Sequence, residues 1–257
     1  MHDIDLHRVA AIARQAGAAI LEVYQREFAV QEKDDRSPLT EADRRSNELI
    51  LAALQQLFPD IPCLSEETKA RDFSERQNWT RCWIIDPLDG TKEFIKKNGE
   101  FTVNIALVEA GHPVLGVVYQ PWGDVLYQAD ADQGASKSVG GATPERLAGG
   151  RHYLDLDTVR VVASRSHMTP ETEAFVDDLR RTGRTVEFTS SGSSLKICRV
   201  AEGSADVYPR YAPTMEWDTA AAHAVAIHAG RRVTHWKSGE ALRYNKPDLL
   251  NPWFLVH

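Results

Sequence analysis

Apolar positions recur with two different periods along this chain, and the periods mark out its elements. Leu6, Val9, Ala13, Ala16, Ile20 and Val23 fall at three- and four-residue steps, which predicts an amphipathic helix from about Leu6 to Tyr24. The polar run from Lys33 to Pro38 reads as an extended loop. A second helix begins at Thr40-Glu41-Ala42-Asp43, with Ala42, Leu49, Ala53 and Leu57 on its buried face and Pro59 just past its end. Pro62 to Glu67 is a short apolar piece that ends in two acids. Trp83-Ile84-Ile85 predicts a buried strand that meets Asp86, and Pro87, with no N–H to give a sheet, is expected to end it. Phe101 to Val108, Val114 to Tyr119 and Val125 to Tyr127 predict an antiparallel meander packed on the two early helices. Gly134 to Gly150, rich in Gly, Ser and Ala, reads as surface loops and a change of domain.

The second half alternates strands with helices. Val159 to Ala163, Thr185 to Phe188 and Ala205 to Tyr208 read as strands. Thr169-Pro170 opens a helix through about Arg181, with proline in a favoured first-turn position. A further helix ends at Ala201, and Met215 to Thr219 leads the helix of Ala220 to Ala226. The class is therefore α/β, or α+β. Residues 1–150 form an N-terminal α+β part with most of the candidate acids, and residues 151–257 a C-terminal α/β part.

Composition narrows the function classes. The 257 residues are 42% hydrophobic and 26% charged, as in ordinary soluble globular proteins. No apolar run approaches the roughly 20 residues that cross a bilayer. The start, Met1-His2-Asp3-Ile4-Asp5, lacks the basic head and apolar stretch of a secretory signal. Cys63, Cys82 and Cys198 read as buried thiols of a reducing, cytoplasmic compartment. A net charge of −7 argues against a nucleic-acid polymer as partner, yet leaves room for a small phosphorylated substrate.

The candidate chemistry centres on Asp86-Pro87-Leu88-Asp89-Gly90-Thr91. Two carboxylates three residues apart on a tight turn repel unless a cation holds them, and oxygen ligands suit Mg²⁺. Gly90 permits close backbone approach and Thr91 adds a hydroxyl, which together suit a phosphate. Asp-Pro and Asp-Gly also open ordinary surface turns. An aspartyl-phosphate phosphatase would place its second Asp two residues on, so this spacing favours attack by water. Glu66 and Glu67 either solvate a strand end or join Asp86 at one point. Thr40 with Asp43 either forms a capping box or lets Asp43 face the metals through water. Asp218 is either an N-cap or a further ligand delivered from the second half. Ser193, Ser194 and Lys196 are either helix-start residues or a second anion site, and His167 is a surface residue, a base or a nucleotide contact.

Taken together, Leu64-Ser65-Glu66-Glu67, Asp86 to Thr91 and Trp217-Asp218-Thr219-Ala220-Ala221 resemble the inositol-monophosphatase superfamily of lithium-sensitive, magnesium-dependent phosphatases. The text around Gly90 to Ile95, Gly99 to Leu107, Gly192 to Lys196 and Tyr208-Pro209-Arg210 looks like its CysQ-type 3′(2′),5′-bisphosphate nucleotidases. The resemblance implies a layered αβαβα fold and two or three Mg²⁺ ions. Glu66, Asp86 and the Leu88 carbonyl would hold a first ion, and Asp86, Asp89 and Asp218 a second. Glu66 and Thr91 would orient and deprotonate the attacking water, with Asp43 in support. Glu66, Leu88, Asp89, Asp218 and the N–H groups of Gly90 and Thr91 would surround the reacting phosphate. Ser193, Lys196, Arg210 and His167 would face the nucleotide and its 5′-phosphate. Ala222 stands where many relatives carry glycine, a departure that touches helix packing.

The activity so implied is removal of the 3′-phosphate from adenosine 3′,5′-bisphosphate, and from its sulfated precursor, which clears a by-product of sulfate activation. An inositol or sugar monophosphatase is the alternative enzyme, and a silent phosphate-binding protein the alternative class. A monomer or homodimer in the cytoplasm is the corresponding expectation; relatives are sometimes loosely held at the bacterial inner membrane, and no amphipathic anchor is readable here.

Overall fold

The computed structural model describes residues 4–32, 38–69, 71–163 and 169–257. Helix α1 (Leu6–Tyr24) is capped by Asp5, which accepts from the His7 N–H, and every apolar position of its predicted stripe is buried. Strands β1 (Val30–Glu32) and β2 (Pro38–Thr40) form a small antiparallel pair; the loop expected between them falls outside the described residues. Helix α2 (Glu41–Leu57) follows. Its buried face runs through Ala42, Ser46, Ile50 and Leu54, about a quarter-turn from the predicted stripe, and Leu57 is exposed. The polar Ser46 and Asn47 account for the shift. Ser46 Oγ donates to Pro87 O and Ser65 Oγ donates to Asn47 Oδ1, so two polar residues face inward.

The main sheet has seven strands in the order β3-β4-β5-β6-β7-β8-β9. They are β3 (Cys63–Ser65), β4 (Arg81–Asp89), β5 (Thr102–Glu109), β6 (His112–Gln120), β7 (Val125–Asp130), β8 (Gly134–Val139) and β9 (Glu145–Arg146). The β3–β4 pair is parallel and the remaining pairs are antiparallel. Two short helices interrupt this run, α3 (Phe73–Arg76) and α4 (Thr91–Ile95). Two expectations need correction here. Strand β4 continues through Pro87 to Asp89, because a bulge between Asp86 and Asp89 skips the rung for which proline has no N–H. The small-residue stretch after Gly134 begins with β8 and the edge strand β9 rather than loops; small and polar side chains suffice near an edge that meets solvent.

Side chains alternate across the main sheet. Trp83, Ile85, Val103, Ile105 and Leu107 meet α1 and α2 on one face, as the meander predicted. Cys82, Ile84, Ala106 and Val108 meet α6 (Leu195–Ala201) and α7 (Ala220–His228) on the other. Gly116 lets α7 approach: a Cβ there would lie 2.2 Å from Ala221 O.

Beyond α6 and α7 lies a second β layer. Strands β10 (Thr158–Ala163) and β11 (Thr185–Ser190) pair in parallel. Strands β12 (Tyr208–Arg210), β13 (Val233–His235) and β14 (Phe254–Val256) pair antiparallel with β14 central, and a Val161–Val207 bridge joins the two groups. The strand expected at Ala205 thus starts regular pairing three residues later. Helix α5 (Pro170–Arg181), capped by Thr169, covers this layer through Val176 and Leu179. The order of layers is helix, sheet, helix, sheet, helix.

Candidate active site

Strand alternation places the acids. Leu64 and Ile84 are partners across the parallel β3–β4 pair and face α6 and α7. Two residues further on, the same face receives Glu66 and Asp86 side by side, as two neighbouring strands with acidic ends require. A single 3₁₀ turn, Glu216–Asp218, immediately ahead of α7, brings Asp218 over them. Carboxylate oxygens of Glu66, Asp86 and Asp218 lie within 4.8 Å of one another.

The electrostatics of this cluster are unfavourable without a cation. Burial, then the charges of Glu66, Asp89 and Asp218, hold the Asp86 carboxyl well above the usual carboxylate range. Asp218 is pushed up to about 8 by burial and by Asp89 and Glu66, against the Met215 N–H that donates to it at 2.9 Å. Asp218 therefore stabilises its own turn and joins the cluster at once. Oxygen-only donors that repel one another fit a hard divalent cation, and Glu66, Asp86 and Asp218 could hold it, with Asp89 and Leu88 lining the same cavity.

The β4 bulge completes the centre. Leu88 N–H donates to Asp86 Oδ1 at 3.1 Å, closing the turn on its own carboxylate. Asp89 Oδ2 accepts from Ser194 N at 2.6 Å, Ser193 Oγ at 2.7 Å and Asn104 Nδ2 at 3.3 Å. Gly90 has φ +91°, and a Cβ there would lie 3.0 Å from Glu100 O, so glycine is required. Thr91 Oγ1 at the head of α4 lies 3.3 Å from Asp43 Oδ1 and 3.4 Å from Leu88 O. Asp43 Oδ2 accepts from Thr40 N and Thr40 Oγ1 at 2.7 and 2.6 Å. The capping box is thus formed through Oδ2, while Oδ1 faces the Thr91 hydroxyl.

A cavity of about 310 Å³ is lined by Glu66, Asp86, Asp89 and Asp218 together with Leu88, Gly90, Thr91, Lys92 and Glu93. A second, of about 150 Å³, shares Asp89, Gly90, Glu93 and Asp218 with it and adds Ser193, Lys196, Tyr208 and Arg210. Lys196 Nζ donates to Ser193 O at 2.8 Å and stands 5.9 Å from the Tyr208 ring centroid. One Arg210 nitrogen donates to Pro213 O, while its buried Nε has no partner among the described residues. Every predicted site residue except Asp43 and His167 lines one of these two lobes; Asp43 touches Thr91 from outside them, and His167 lies outside the described residues. Ser193 lines the second lobe but spends its hydroxyl on Asp89. Sequence reasoning missed Asn104 and Thr102, which lock Ser193 and Ser194 in place. The available signal was two polar residues, two apart, within the apolar run of β5.

The sequence matches the inositol monophosphatase family over residues 3–255. It is 46% identical to the 3′(2′),5′-bisphosphate nucleotidase CysQ of Salmonella typhimurium over 98% of each chain. The CysQ of Haemophilus influenzae is 35% identical over 98% of this chain and 91% of its own. Among solved structures, CysQ from Bacteroides thetaiotaomicron, a bacterial member of the inositol monophosphatase family, superposes with a TM-score of 0.84 at 51% identity, covering 97% of this chain and 95% of that one. An inositol monophosphatase from Thermotoga maritima shares the fold at TM-score 0.75 and 24% identity, covering 96% and 89%. The chain belongs to the inositol monophosphatase family.

Proposed function

We propose that this chain is a divalent-metal-dependent 3′(2′),5′-bisphosphate nucleotidase that hydrolyses the 3′-phosphate of adenosine 3′,5′-bisphosphate. The observation that carries this reading is the sharing of Asp89, Gly90 and Asp218 between an acidic lobe and a lobe bearing Lys196 and Arg210. A substrate with two phosphates has one for each lobe, whereas a monophosphate in the acidic lobe leaves Lys196 and Arg210 without an anion. The named CysQ relatives at 46% identity support the same substrate class.

The oxygen-only donor set suits Mg²⁺, and the resemblance calls for two or three ions. When bound, such ions supply Lewis-acid stabilisation of phosphoryl charge and a nucleophilic water at neutral pH. The remaining work belongs to the chain. Gly90 and Thr91 N–H groups sit where a helix begins and no intrahelical carbonyl reaches them, so they can donate to the reacting phosphate. Asp43, anchored by two Thr40 donors, draws the Thr91 hydroxyl proton toward itself. The Thr91 lone pairs then accept from the attacking water and aim it, while Glu66 takes its proton. As the new P–O bond forms, the bond to the 3′-oxygen breaks and that oxygen leaves with a proton from water. Lys196 and Arg210 hold the second phosphate, which fixes the substrate in line.

Phosphate release from adenosine 3′,5′-bisphosphate and from inositol 1-phosphate, at equal enzyme and saturating Mg²⁺, tests this. The expected result is strong preference for the nucleotide, reduced in Lys196→Ala without loss of inositol phosphate turnover. Equal or reversed preference would overturn the nucleotidase assignment.

A further inference from the structure

Glu216 is fully buried two residues before Asp218, and it lines neither cavity. Its Oε1 accepts from Lys246 N at 3.0 Å and from Lys246 Nζ, and its Oε2 accepts from Asn245 N. Asn245 adopts φ +58°, a left-handed conformation that asparagine tolerates better than most residues. The Asn245 side chain exchanges two hydrogen bonds with Arg76: Arg76 Nη1 donates to Asn245 Oδ1 at 2.6 Å, and Asn245 Nδ2 donates to Arg76 O at 2.9 Å. Arg76 is itself buried, at the end of the short helix that follows the Glu66 turn, and reaches Lys246 O as well. One stretch of backbone, 245–246, thus binds the segment downstream of Glu66 and the turn that carries Asp218.

A single 3₁₀ turn has poor internal hydrogen-bond geometry and little rigidity of its own. This one must hold Asp218 against repulsion from Glu66 and Asp86, within 4.8 Å. Its internal bonds are Asp218 N to Met215 O at 3.2 Å, Thr219 N to Glu216 O at 3.2 Å and Met215 N to Asp218 Oδ2 at 2.9 Å, with Glu216 N anchored on Leu249 O at 3.0 Å and Asn251 Nδ2 donating to Met215 O at 2.7 Å. A buried ion pair is weak evidence of stability, since a hydrophobic replacement often does as well. Its consequence here is geometric.

We infer that Glu216 is a positioning residue, which with Asn245, Lys246 and Arg76 clasps the Asp218 turn against the Glu66 segment and so preorganises the cation site. This rests on the metal-dependent reading above. It places the specification of that site in residues that touch neither cation nor substrate, as supporting residues do around metal ligands elsewhere.

The test measures Mn²⁺ affinity by electron paramagnetic resonance, without substrate, on the full chain. Glu216→Gln is compared with wild type and with Glu202→Gln, a control that breaks a different buried ion-pair network, with Lys137 and Arg199. Glu216→Gln is expected to weaken Mn²⁺ binding at least tenfold, with turnover recovered at raised metal concentration; Glu202→Gln is expected to bind Mn²⁺ as wild type does. Should Glu216→Gln not fold, Asn245→Gly serves, since glycine accepts the same φ and removes both Asn245 side-chain bonds to Arg76 while Arg76 Nη2 stays on Lys246 O. Unchanged Mn²⁺ affinity in the folded variant, or equal weakening in the control, overturns the inference while leaving the nucleotidase reading intact. A wild-type chain that binds no Mn²⁺ overturns both.

Discussion

Ser193 donates its hydroxyl to Asp89 Oδ2 at 2.7 Å from a backbone with φ +53°. That left-handed conformation is uncommon for a residue with a side chain. It turns the Ser193 hydroxyl and the following Ser194 N–H onto the same carboxylate oxygen. Thr102 Oγ1, 2.6 Å from Ser193 Oγ, supports the arrangement from β5. Asp89 is therefore oriented by the second half of the chain before any ligand arrives, and the same serine offers its carbonyl to Lys196.

Deleting that hydroxyl separates orientation from stability. Ser193→Gly is compatible with positive φ, whereas Ser193→Ala keeps the strain, so the glycine variant should be the more stable by about 1 kcal/mol. Both should lower turnover about tenfold at limiting Mg²⁺, because Asp89 loses a supporting donor. Steady-state rates against Mg²⁺ concentration, alongside melting curves, check both parts. Wild-type metal dependence in Ser193→Gly would show that Asp89 needs no such support.

The acid cluster makes the benefit of a cation depend on pH. Burial and neighbouring charge push Asp218 up to about 8 and Asp86 well above the usual range, both raised relative to an unfolded chain. Folded protein then binds protons that unfolded protein has released. The contribution is fully favourable below about pH 4 and is lost as pH rises through the folded value near 8. A divalent ion needs these carboxylates ionised, so its binding expels protons and strengthens with pH. The rise in melting temperature caused by Mg²⁺ should grow steadily from about pH 5 to about pH 8. A rise that does not vary with pH would refute the assignment of Asp86 and Asp218 as cation ligands.

Glu202 gives the opposite sign. Burial alone would raise its carboxyl, but hydrogen bonds from Lys137, Ser204, Tyr127 and Arg199 outweigh burial and leave it at about 2. Its stabilising contribution is present above the ordinary glutamate range and is lost as pH falls toward 2. Glu202→Ala should cost about 2 kcal/mol, less than full burial would imply because Lys137 and Arg199 are partly exposed. Denaturant melts at pH 7 measure it, and kcat should be unchanged because Glu202 lines neither cavity. A loss under about 0.5 kcal/mol would mean that the network is solvated in solution.

How much of this was legible depended on whether local pattern and tertiary placement agree. In α1 they agree, and the apolar stripe named its buried residues correctly. In α2 they do not, since Ser46 and Asn47 are buried for their hydrogen bonds to Pro87 O and Ser65 and shift the buried face. Pro87 was expected to end its strand, yet the strand persists because a bulge removes the need for its N–H. The acids at Glu66, Asp86, Asp89 and Asp218 were readable because each follows an apolar piece or opens a helix. Glu216 was not: its partners sit about thirty residues downstream, and a buried glutamate beside a tryptophan looks like any exposed one. The Ser193 hydroxyl was read as facing the substrate, because its backbone conformation has no signature in Ser193-Ser194 itself.

Asp43 offers the sharpest separation of chemistry from folding. One oxygen takes two hydrogen bonds from Thr40 at the start of α2, and the other faces the Thr91 hydroxyl. In Asp43→Asn the remaining oxygen has to stay on the Thr40 donors, since an amide NH₂ there would meet two other donors. The NH₂ then faces Thr91 and donates to it, which reverses that hydrogen bond and occupies the lone pair meant for water. The capping cost is small, about 1 kcal/mol, because the Thr40 bonds survive in weaker form. Loss of the positioned water should lower kcat by about 10²-fold or more while KM and Mg²⁺ affinity hold. Asp43→Glu, with an added methylene, should lose both the cap and the Thr91 contact and so be less stable. Full kinetic profiles and melting curves for the two variants distinguish the roles. Retention of kcat in Asp43→Asn would place Asp43 in the fold alone and return the aiming of water to Glu66.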